Sequence, residues 1–516
     1  MASLHMQDYD EVTAFLGHWG HFQQSVFFLL CASVLPNGFG SFSLIFLTDI
    51  PRHHCLIPDI NLTEDWHQDV NLTNLEQEGC VDGWSYSKDI YKSTIVSEFD
   101  LVCSEEWKQP FTSTVYFMGV LVGSFLSGQL SDRFGRKPVL FLTMALQTLF
   151  TFVQIFSSSW TVFCILLFIS GLGQISNYVS AFVLGTEIFT GNVRVLFSSM
   201  GVCLAFAFGF MMLPLFAYFL RDWTSLLLGI SLPGLLYLPL WWLIPESPRW
   251  LLSQGRVEEA ENIVKYAAKK NKVEAPQVIF DDYNSPVIQS TIATMFYLTY
   301  VYRFTLSTGY FGLSLNTSRL HADPFISCFI SAAVEVPAYI TSWLALQYLP
   351  RRLAVVSILL LGGVSLYFIQ LVPHGLSYLS ITLEMVGKFG ITTGTALMFV
   401  YTAELFPTVL RNTATGMCTT VSRVGSCIAP FLLKLSQYFK YLPYITLGTL
   451  AVVSAFTTMF LPESFGRPLP QTIEQMHKRQ SAHSHEGLPC SGKQQNRQWS
   501  RCSCEDIKCP FCILIL

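Results

Sequence analysis

Charge is scarce in this chain. Of 516 residues, 51% are hydrophobic and only 13% are Asp, Glu, Lys or Arg, where an ordinary soluble protein carries about a quarter. That shortage excludes a soluble multidomain chain of this length. The net charge of −4 is too small to say anything about partners, and nothing in it points to nucleic acid. Lys and Arg are absent from the first 20 positions, and the first apolar run is too long for a signal-peptide core, so that run is expected to remain as a membrane helix. Also lacking are a metal-ligand cluster inside the apolar runs and a nucleophile–base pairing that the sequence can place. Neither a metal site nor a membrane enzyme is therefore expected.

What the chain has in abundance is long apolar runs, with a mean hydropathy of +0.43. Twelve approach the roughly 20 residues that cross a bilayer: 21–47, 111–131, 138–156, 161–183, 195–219, 223–243, 290–314, 325–347, 353–371, 376–400, 412–435 and 441–461. They predict an all-α polytopic membrane protein. Thirteen Lys and Arg fall on the connections after even-numbered runs, and three on the short connections after odd-numbered ones beyond the first. By the positive-inside rule both termini are then cytosolic. Segment 1–20 is a cytosolic N-terminus, 48–110 an extracellular loop, 244–289 a cytosolic linker and 462–516 a cytosolic tail. Residues 111–243 join the first helix to make one bundle, and 290–461 make another. The sequons at Asn61, Asn71 and Asn316 all fall on the predicted outer side, as glycosylation sites require.

The chain writes one charged phrase twice. GTEIFTGNVR, Gly185 to Arg194, and TAELFPTVLR, Thr402 to Arg411, each set a Glu seven residues before an Arg at a cytosolic edge. Glu187 and Glu404 are 217 residues apart, and so are Pro245 of PESPRW and Pro462 of PESFGRP. Two independent phrases at one offset describe a duplicated six-helix unit. Two such bundles in parallel face each other across a central cavity, the layout of secondary transporters. Ordinary interfacial anchoring explains either phrase alone, but not their shared offset.

GQLSDRFGRKPV, Gly128 to Val139, resembles the loop signature of the major facilitator superfamily, which implies twelve transmembrane helices in two six-helix bundles. DYDEVTAFLGHWG, STIVSEFDLVC, GQISNYVSAFVLGTEI, PESPRWLLSQGR, QYLPRR and MVGKFGIT are similar to the organic cation/carnitine transporters of solute carrier family 22, nearest to their carnitine-handling branch. The resemblance implies a plasma-membrane transporter of carnitine or a related betaine-type zwitterion or organic cation. It would work by alternating access, with sodium as coupling ion and no other cofactor. Ergothioneine, a plain organic cation, and a non-transporting sensor of the same family are the alternatives. Asp132, Arg133, Arg136, Glu187, Arg194, Glu404 and Arg411 would then form conformational contacts between bundle ends on the cytosolic side.

Charges inside the apolar runs mark the site, because each costs about 2.5–3.5 kcal/mol on insertion scales and so faces a cavity or a partner. Arg423 lies twelve residues beyond Arg411, roughly 18 Å into the bilayer. Lys388 and Glu335 sit midway along their runs. An internal ion pair that merely holds helices together is the rival reading for both Lys388 and Arg423. In the resembled transporters the Arg matching Arg423 serves the substrate carboxylate, a task suited to its planar fork. A trimethylammonium group has no N–H to donate and binds best against aromatic faces, for which Tyr178, Tyr310, Phe399 and Tyr401 are candidates against plain packing. Asn37, Gln147, Gln174 and Asn177 match positions that the resemblance links to sodium or substrate. Asn37 and Gln147 are assigned to sodium and the other two to substrate, with helix-to-helix hydrogen bonding as the rival reading.

Several features depart from the resemblance. Arg303 and Glu384 fall where an apolar residue is expected, and an interhelical Arg303–Glu384 pair would offset the cost of burying both. The rivals are a Glu384–Lys388 contact along one helix and an unpaired Arg303 lining an aqueous cavity and repelling cations. The outer loop holds an odd set of cysteines, Cys55, Cys80 and Cys103, so one thiol is left over. Cys502, Cys504, Cys509 and Cys512 crowd the tail. They read better as sites of palmitoylation on an unstructured segment than as a zinc cluster.

Overall fold

The computed structural model describes residues 9–17, 19–55, 80, 83–274, 276, 293–316, 323–373, 376–405, 408–439, 441–461 and 463. The sequons at Asn61 and Asn71 and the cysteines of the tail lie outside these residues, and Glu404 and Arg411 lie outside the described side chains.

Among the described residues the apolar runs form twelve helical segments: α1 His21–Leu47, α2 Lys108–Phe134, α3 Arg136–Val153, α4 Trp160–Ile188, α5 Gly191–Phe219, α6 Trp223–Tyr237, α7 Ala293–Leu315, α8 Pro324–Tyr348, α9 Arg351–Phe368, α10 Ser377–Leu405, α11 Thr408–Lys434 and α12 Leu442–Thr458. Eight of the helical stretches are by themselves long and apolar enough to cross a membrane. Three of the remainder, α7, α10 and α11, hold Arg303, Glu384, Lys388 and Arg423. Three segments are interrupted within the apolar run, α1 among them at Ser43. A π-helical turn at Phe197–Gly201 breaks α5, and a break at Val334 divides α8 just before Glu335. π-turns of this kind recur at functional sites.

The duplication read from the 217-residue offset reappears in the packing. In the first bundle α1 packs on α5, α2 on α4, and α3 on α4 and α6. In the second, α7 packs on α11, α8 on α10, and α9 on α10 and α12, the same scheme shifted by six helices. The two bundles meet along α2–α11 and α5–α8, contacts that the same shift exchanges. Small residues permit the tightest crossings. A Cβ on Gly38 would lie 2.2 Å from the Phe206 carbonyl oxygen between α1 and α5, and one on Gly425 would lie 2.5 Å from that of Phe304 between α11 and α7.

The twice-written PES phrase also has a structural role. Glu246 accepts hydrogen bonds from the backbone N–H of Arg136 (3.0 Å) and Lys137 (3.1 Å) at the start of α3. Glu463 accepts from the backbone N–H of Arg351 (2.8 Å) and Arg352 (3.0 Å) at the start of α9. Each carboxylate thus satisfies orphan donors and meets the positive end of a helix dipole. Burial pushes the Glu246 carboxyl above the usual carboxylate range, while the Ser247, Lys137 and Arg136 N–H groups pull the other way. The helix Val257–Asn271, between the bundles in sequence, docks against the first bundle. There Asn271 Oδ1 accepts from the Phe22 N–H (2.9 Å) at the start of α1.

Outside the bundles, His53–Cys55 and Trp84–Tyr86 pair as antiparallel strands, and Cys55 and Cys80 form a disulfide. Cys103 is the leftover thiol, and it is exposed.

Candidate functional site

Between the bundles lies a cavity with about 120 Å³ of free space, room for several water molecules. Both halves wall it. The first contributes Asn37 and Ser41 from α1, Tyr116 from α2 and Gln174 and Tyr178 from α4; the second contributes Arg303 and Tyr310 from α7, Tyr339 from α8, Phe399 from α10 and Arg423 from α11. Neither Asp nor Glu is among the lining residues. An aromatic seam brings the bundles together beside the cavity, with Phe42 5.9 Å from Phe311 and Phe117 4.9 Å from Phe311, centroid to centroid.

Arg423 reaches this cavity with no ion-pair partner among the described residues, and its Nε meets no acceptor. Gln174, Tyr178, Tyr310 and Phe399, all predicted to contact substrate, also face it. Three other predicted substrate residues do not. Asn177 is fully buried behind the wall, where its amide accepts from Asn37 Nδ2 (2.9 Å) and donates to the Leu140 carbonyl (3.1 Å). Tyr401 is fully buried in the core between helices. Lys388 is 1% exposed, and its Nζ lies 3.1 Å from Glu335 Oε1 and 2.5 Å from Ser331 Oγ. Its charge is spent on the internal ion pair, as the rival reading had it, and it is not a wall of the cavity. Tyr310 and Tyr339 donate to Glu335 at 3.0 and 3.4 Å, so this pair fixes two of the rings that line the cavity.

The amides of the first bundle form one helix-to-helix network. Gln174 Nε2 donates to the Asn37 carbonyl at 2.6 Å and to Ser41 Oγ, while Tyr116 OH donates to Gln174 Oε1. Two amide oxygens in this region are left over: Asn37 Oδ1 and Gln147 Oε1 are buried without a hydrogen-bond partner. Tyr116 and Ser41 were not singled out from the sequence. Ser41 was within reach of pattern reasoning, because it follows Asn37 by four residues on one helix face. Tyr116 was not, because a tyrosine in an apolar helix reads as packing.

Arg303 does not pair with Glu384, and the expected interhelical pair is a correction. Glu384 accepts instead from Asn316 Nδ2 (3.0 Å) and from Tyr444 OH (2.9 Å). Asn316 follows Arg303 by thirteen residues, so Arg303 lies about 20 Å further along the axis than the level of Glu384. Counting depth along α7 and α10 from outer ends assumed level brings the two charges too close. Glu384 does not bond to Lys388 either, since Glu335 and Ser331 hold that ammonium. Arg303 lies with its charged carbon 3.7 Å from the centre of the Phe399 ring, and its Nε and Nη2 meet no acceptor. Such a stack contributes about 0.5–2 kcal/mol, less than the roughly 2.5–3.5 kcal/mol of placing an arginine at this depth. The same contact uses a ring face expected to receive substrate.

Asn316 is a further correction. The residue is only 9% exposed, and its Nδ2, the atom that would carry a sugar, is engaged by Glu384 and Tyr444. At the end of the first bundle that bears the charged phrase, Arg136 joins α3 to two neighbours. Its Nη1 lies 2.6 Å from Asp132 and its Nη2 3.0 Å from Glu187. Arg194 Nε donates to the Phe189 carbonyl (2.8 Å) and Arg133 lies over the Phe134 ring. The described contacts of Asp132, Arg136 and Glu187 therefore tie helices within one bundle, where contacts between bundle ends had been expected.

Residues 83–476 match the family described as Sugar (and other) transporter. Organic cation/carnitine transporter 2 of Rattus norvegicus is 51% identical over 91% of this chain and 94% of its own length. Solute carrier family 22 member 4 of Mus musculus is 50% identical over 92% and 95%. Among solved structures, the partially occluded inward open xylose transporter XylE from E. coli superposes with a TM-score of 0.60 at 14% identity, over 87% of this chain and all of that one, which shows the fold. A twelve-helix fold in two repeated bundles around a cavity, with relatives half identical over nine-tenths of its length, makes the chain a member of the organic cation/carnitine transporters of solute carrier family 22, within the major facilitator superfamily.

Proposed function

We propose that this transporter carries carnitine or a related betaine-type zwitterion across the plasma membrane by alternating access, coupled to sodium. The observation that carries the reading is Arg423, a guanidinium without an ion-pair partner facing a cavity whose walls include Tyr178 and Tyr310. The guanidinium takes the substrate carboxylate through paired N–H donors. Tyr178 and Tyr310 offer ring faces to the trimethylammonium, and Gln174 adds a polar group to the wall. Among the described residues no carboxylate lines the cavity, so a solute that carries only positive charge meets no counter-charge from them.

Sodium fits the first bundle. Its ligands are oxygens, and Asn37 Oδ1 and Gln147 Oε1 are buried acceptors whose needs the protein leaves unmet. In alternating access the Asp132–Arg136–Glu187 cluster keeps the first bundle rigid at its base. Glu404 and Arg411 stand where the 217-residue offset carries Glu187 and Arg194 in the second bundle.

Uptake of labelled carnitine by cells expressing the chain, with sodium or with choline in the medium, tests the proposal. Uptake should require sodium, and Arg423→Lys should reduce carnitine uptake at least tenfold at equal surface expression. Absence of carnitine uptake in both media, at normal surface expression, would overturn the reading.

A further inference from the structure

We infer that Arg303 is a second anion-binding point in the central cavity, so that two anionic groups, held by Arg303 and Arg423, accompany each cycle of transport. The inference rests on the reading of Arg423 as the carboxylate partner and extends it to a residue that sits where an apolar one was expected.

Arg303 is 2% exposed, lines the cavity, and leaves Nε and Nη2 without an acceptor. The Phe399 ring 3.7 Å away holds the guanidinium by its face but supplies no lone pair to those N–H groups. Among the described residues, the buried carboxylates of the same bundle are committed elsewhere: Glu335 to Lys388, Tyr310 and Tyr339, and Glu384 to Asn316 and Tyr444. Glu384 is also about 20 Å away along the helix axis.

Arg303 and Arg423 stand at one level. Gly425 of α11 abuts the Phe304 carbonyl and the Thr308 hydroxyl of α7, so the arginines flank a single helix crossing and open into the same cavity of about 120 Å³. Two like charges confined there repel, and in a water-poor site the repulsion is strong. A zwitterion with one carboxylate meets one guanidinium and leaves the other uncompensated. A solute with a quaternary ammonium and two carboxylates meets both. So does a one-carboxylate zwitterion bound beside a small inorganic anion. The shared chemistry is a second anion, and the planar fork of Arg303 suits a carboxylate best.

The test uses the purified full chain in lipid nanodiscs and compares acetylcarnitine with the glutaric half-ester of carnitine, which adds a second carboxylate. Binding is measured by calorimetry in sodium chloride and in sodium isethionate, whose anion is bulkier than chloride and carries no carboxylate. A second carboxylate on the solute predicts that the wild-type chain binds the glutaric ester about tenfold tighter or more, and that Arg303→Leu and Arg303→Gln both abolish the difference. An inorganic second anion predicts instead that replacing chloride with isethionate weakens acetylcarnitine binding to the wild type about tenfold, and leaves the two variants unaffected. The inference is overturned if the wild type shows neither preference nor chloride effect, or if both variants keep the wild-type ratio. Should no carnitine ester bind at all, the betaine reading alone fails. Thermal stabilisation by free glutarate or chloride, present in the wild type and lost in both variants, then decides for Arg303, and its absence decides against.

Discussion

Lys388 and Glu335 set the heaviest consequence of a single substitution in the described core. Both side chains are within 1% of complete burial, and their charged atoms are 3.1 Å apart. Removing one partner of such a pair costs about 3–5 kcal/mol, because the other remains charged and buried. The two halves are not equal. In Lys388→Leu, Glu335 keeps the Tyr310 and Tyr339 hydroxyls as donors, so its loss belongs at the lower end, about 3 kcal/mol. In Glu335→Leu, Lys388 keeps Ser331 and lies 4.8 Å from the centre of the Phe210 ring, but both tyrosine hydroxyls lose their acceptor. That variant belongs at the upper end, about 5 kcal/mol. The double Leu variant buries no charge and should recover to within about 1–2 kcal/mol of the wild type, giving a large coupling energy in a double-mutant cycle. Denaturant unfolding of the purified chain in detergent, followed by tryptophan fluorescence, measures all four proteins. Losses that simply add would refute the pair. So would a Lys388→Leu protein of normal stability that had lost only substrate affinity, the outcome expected if Lys388 touched substrate.

The remaining predictions follow from the caps and the buried amide. Glu246→Ala and Glu463→Ala should each destabilise by about 0.5–2 kcal/mol, with Gln in either position recovering part of the loss; a loss at only one position would deny that the two phrases do the same work. Asn316→Gln should leave the gel mobility shift produced by glycosidase treatment unchanged while lowering thermal stability, because the longer side chain carries the amide donor out of place beside Glu384. A glycan lost on that substitution would restore Asn316 as an acceptor. Asn61→Gln combined with Asn71→Gln should remove the shift altogether.

The architecture was legible because it is written in quantities that a sequence preserves. Apolar length gives the helices, and the 217-residue spacing of two charged phrases gives the repeat. The repeat is visible again where Glu246 and Glu463 bond the first N–H groups of α3 and α9. Arg423 was legible for a similar reason, since a charge deep in an apolar helix needs an explanation wherever the helix packs. Partners were harder. Lys388 meets Glu335 from 53 positions away, and nothing local distinguishes that contact from one with substrate. Glu384 found Asn316 and Tyr444 because α7 ends level with it, a vertical offset between helices that hydropathy does not record. The same offset brought Arg303 to Phe399 and into the cavity, the position described by the alternative of an arginine lining it unpaired. Tyr116 and Tyr339 escaped notice because their hydroxyls matter only once neighbouring helices supply Gln174 and Glu335.

The central claim is that the carboxylate of the solute is recognised inside the cavity by Arg423. Counterflow in proteoliposomes of the purified chain, with labelled carnitine outside and either carnitine or its methyl ester trapped inside, isolates that one group, because the ester keeps the trimethylammonium and the hydroxyl. The account predicts that carnitine drives accumulation of label, that the methyl ester does not, and that Arg423→Lys abolishes the difference by lowering the carnitine signal. Equal counterflow by carnitine and its methyl ester in the wild-type chain would contradict it.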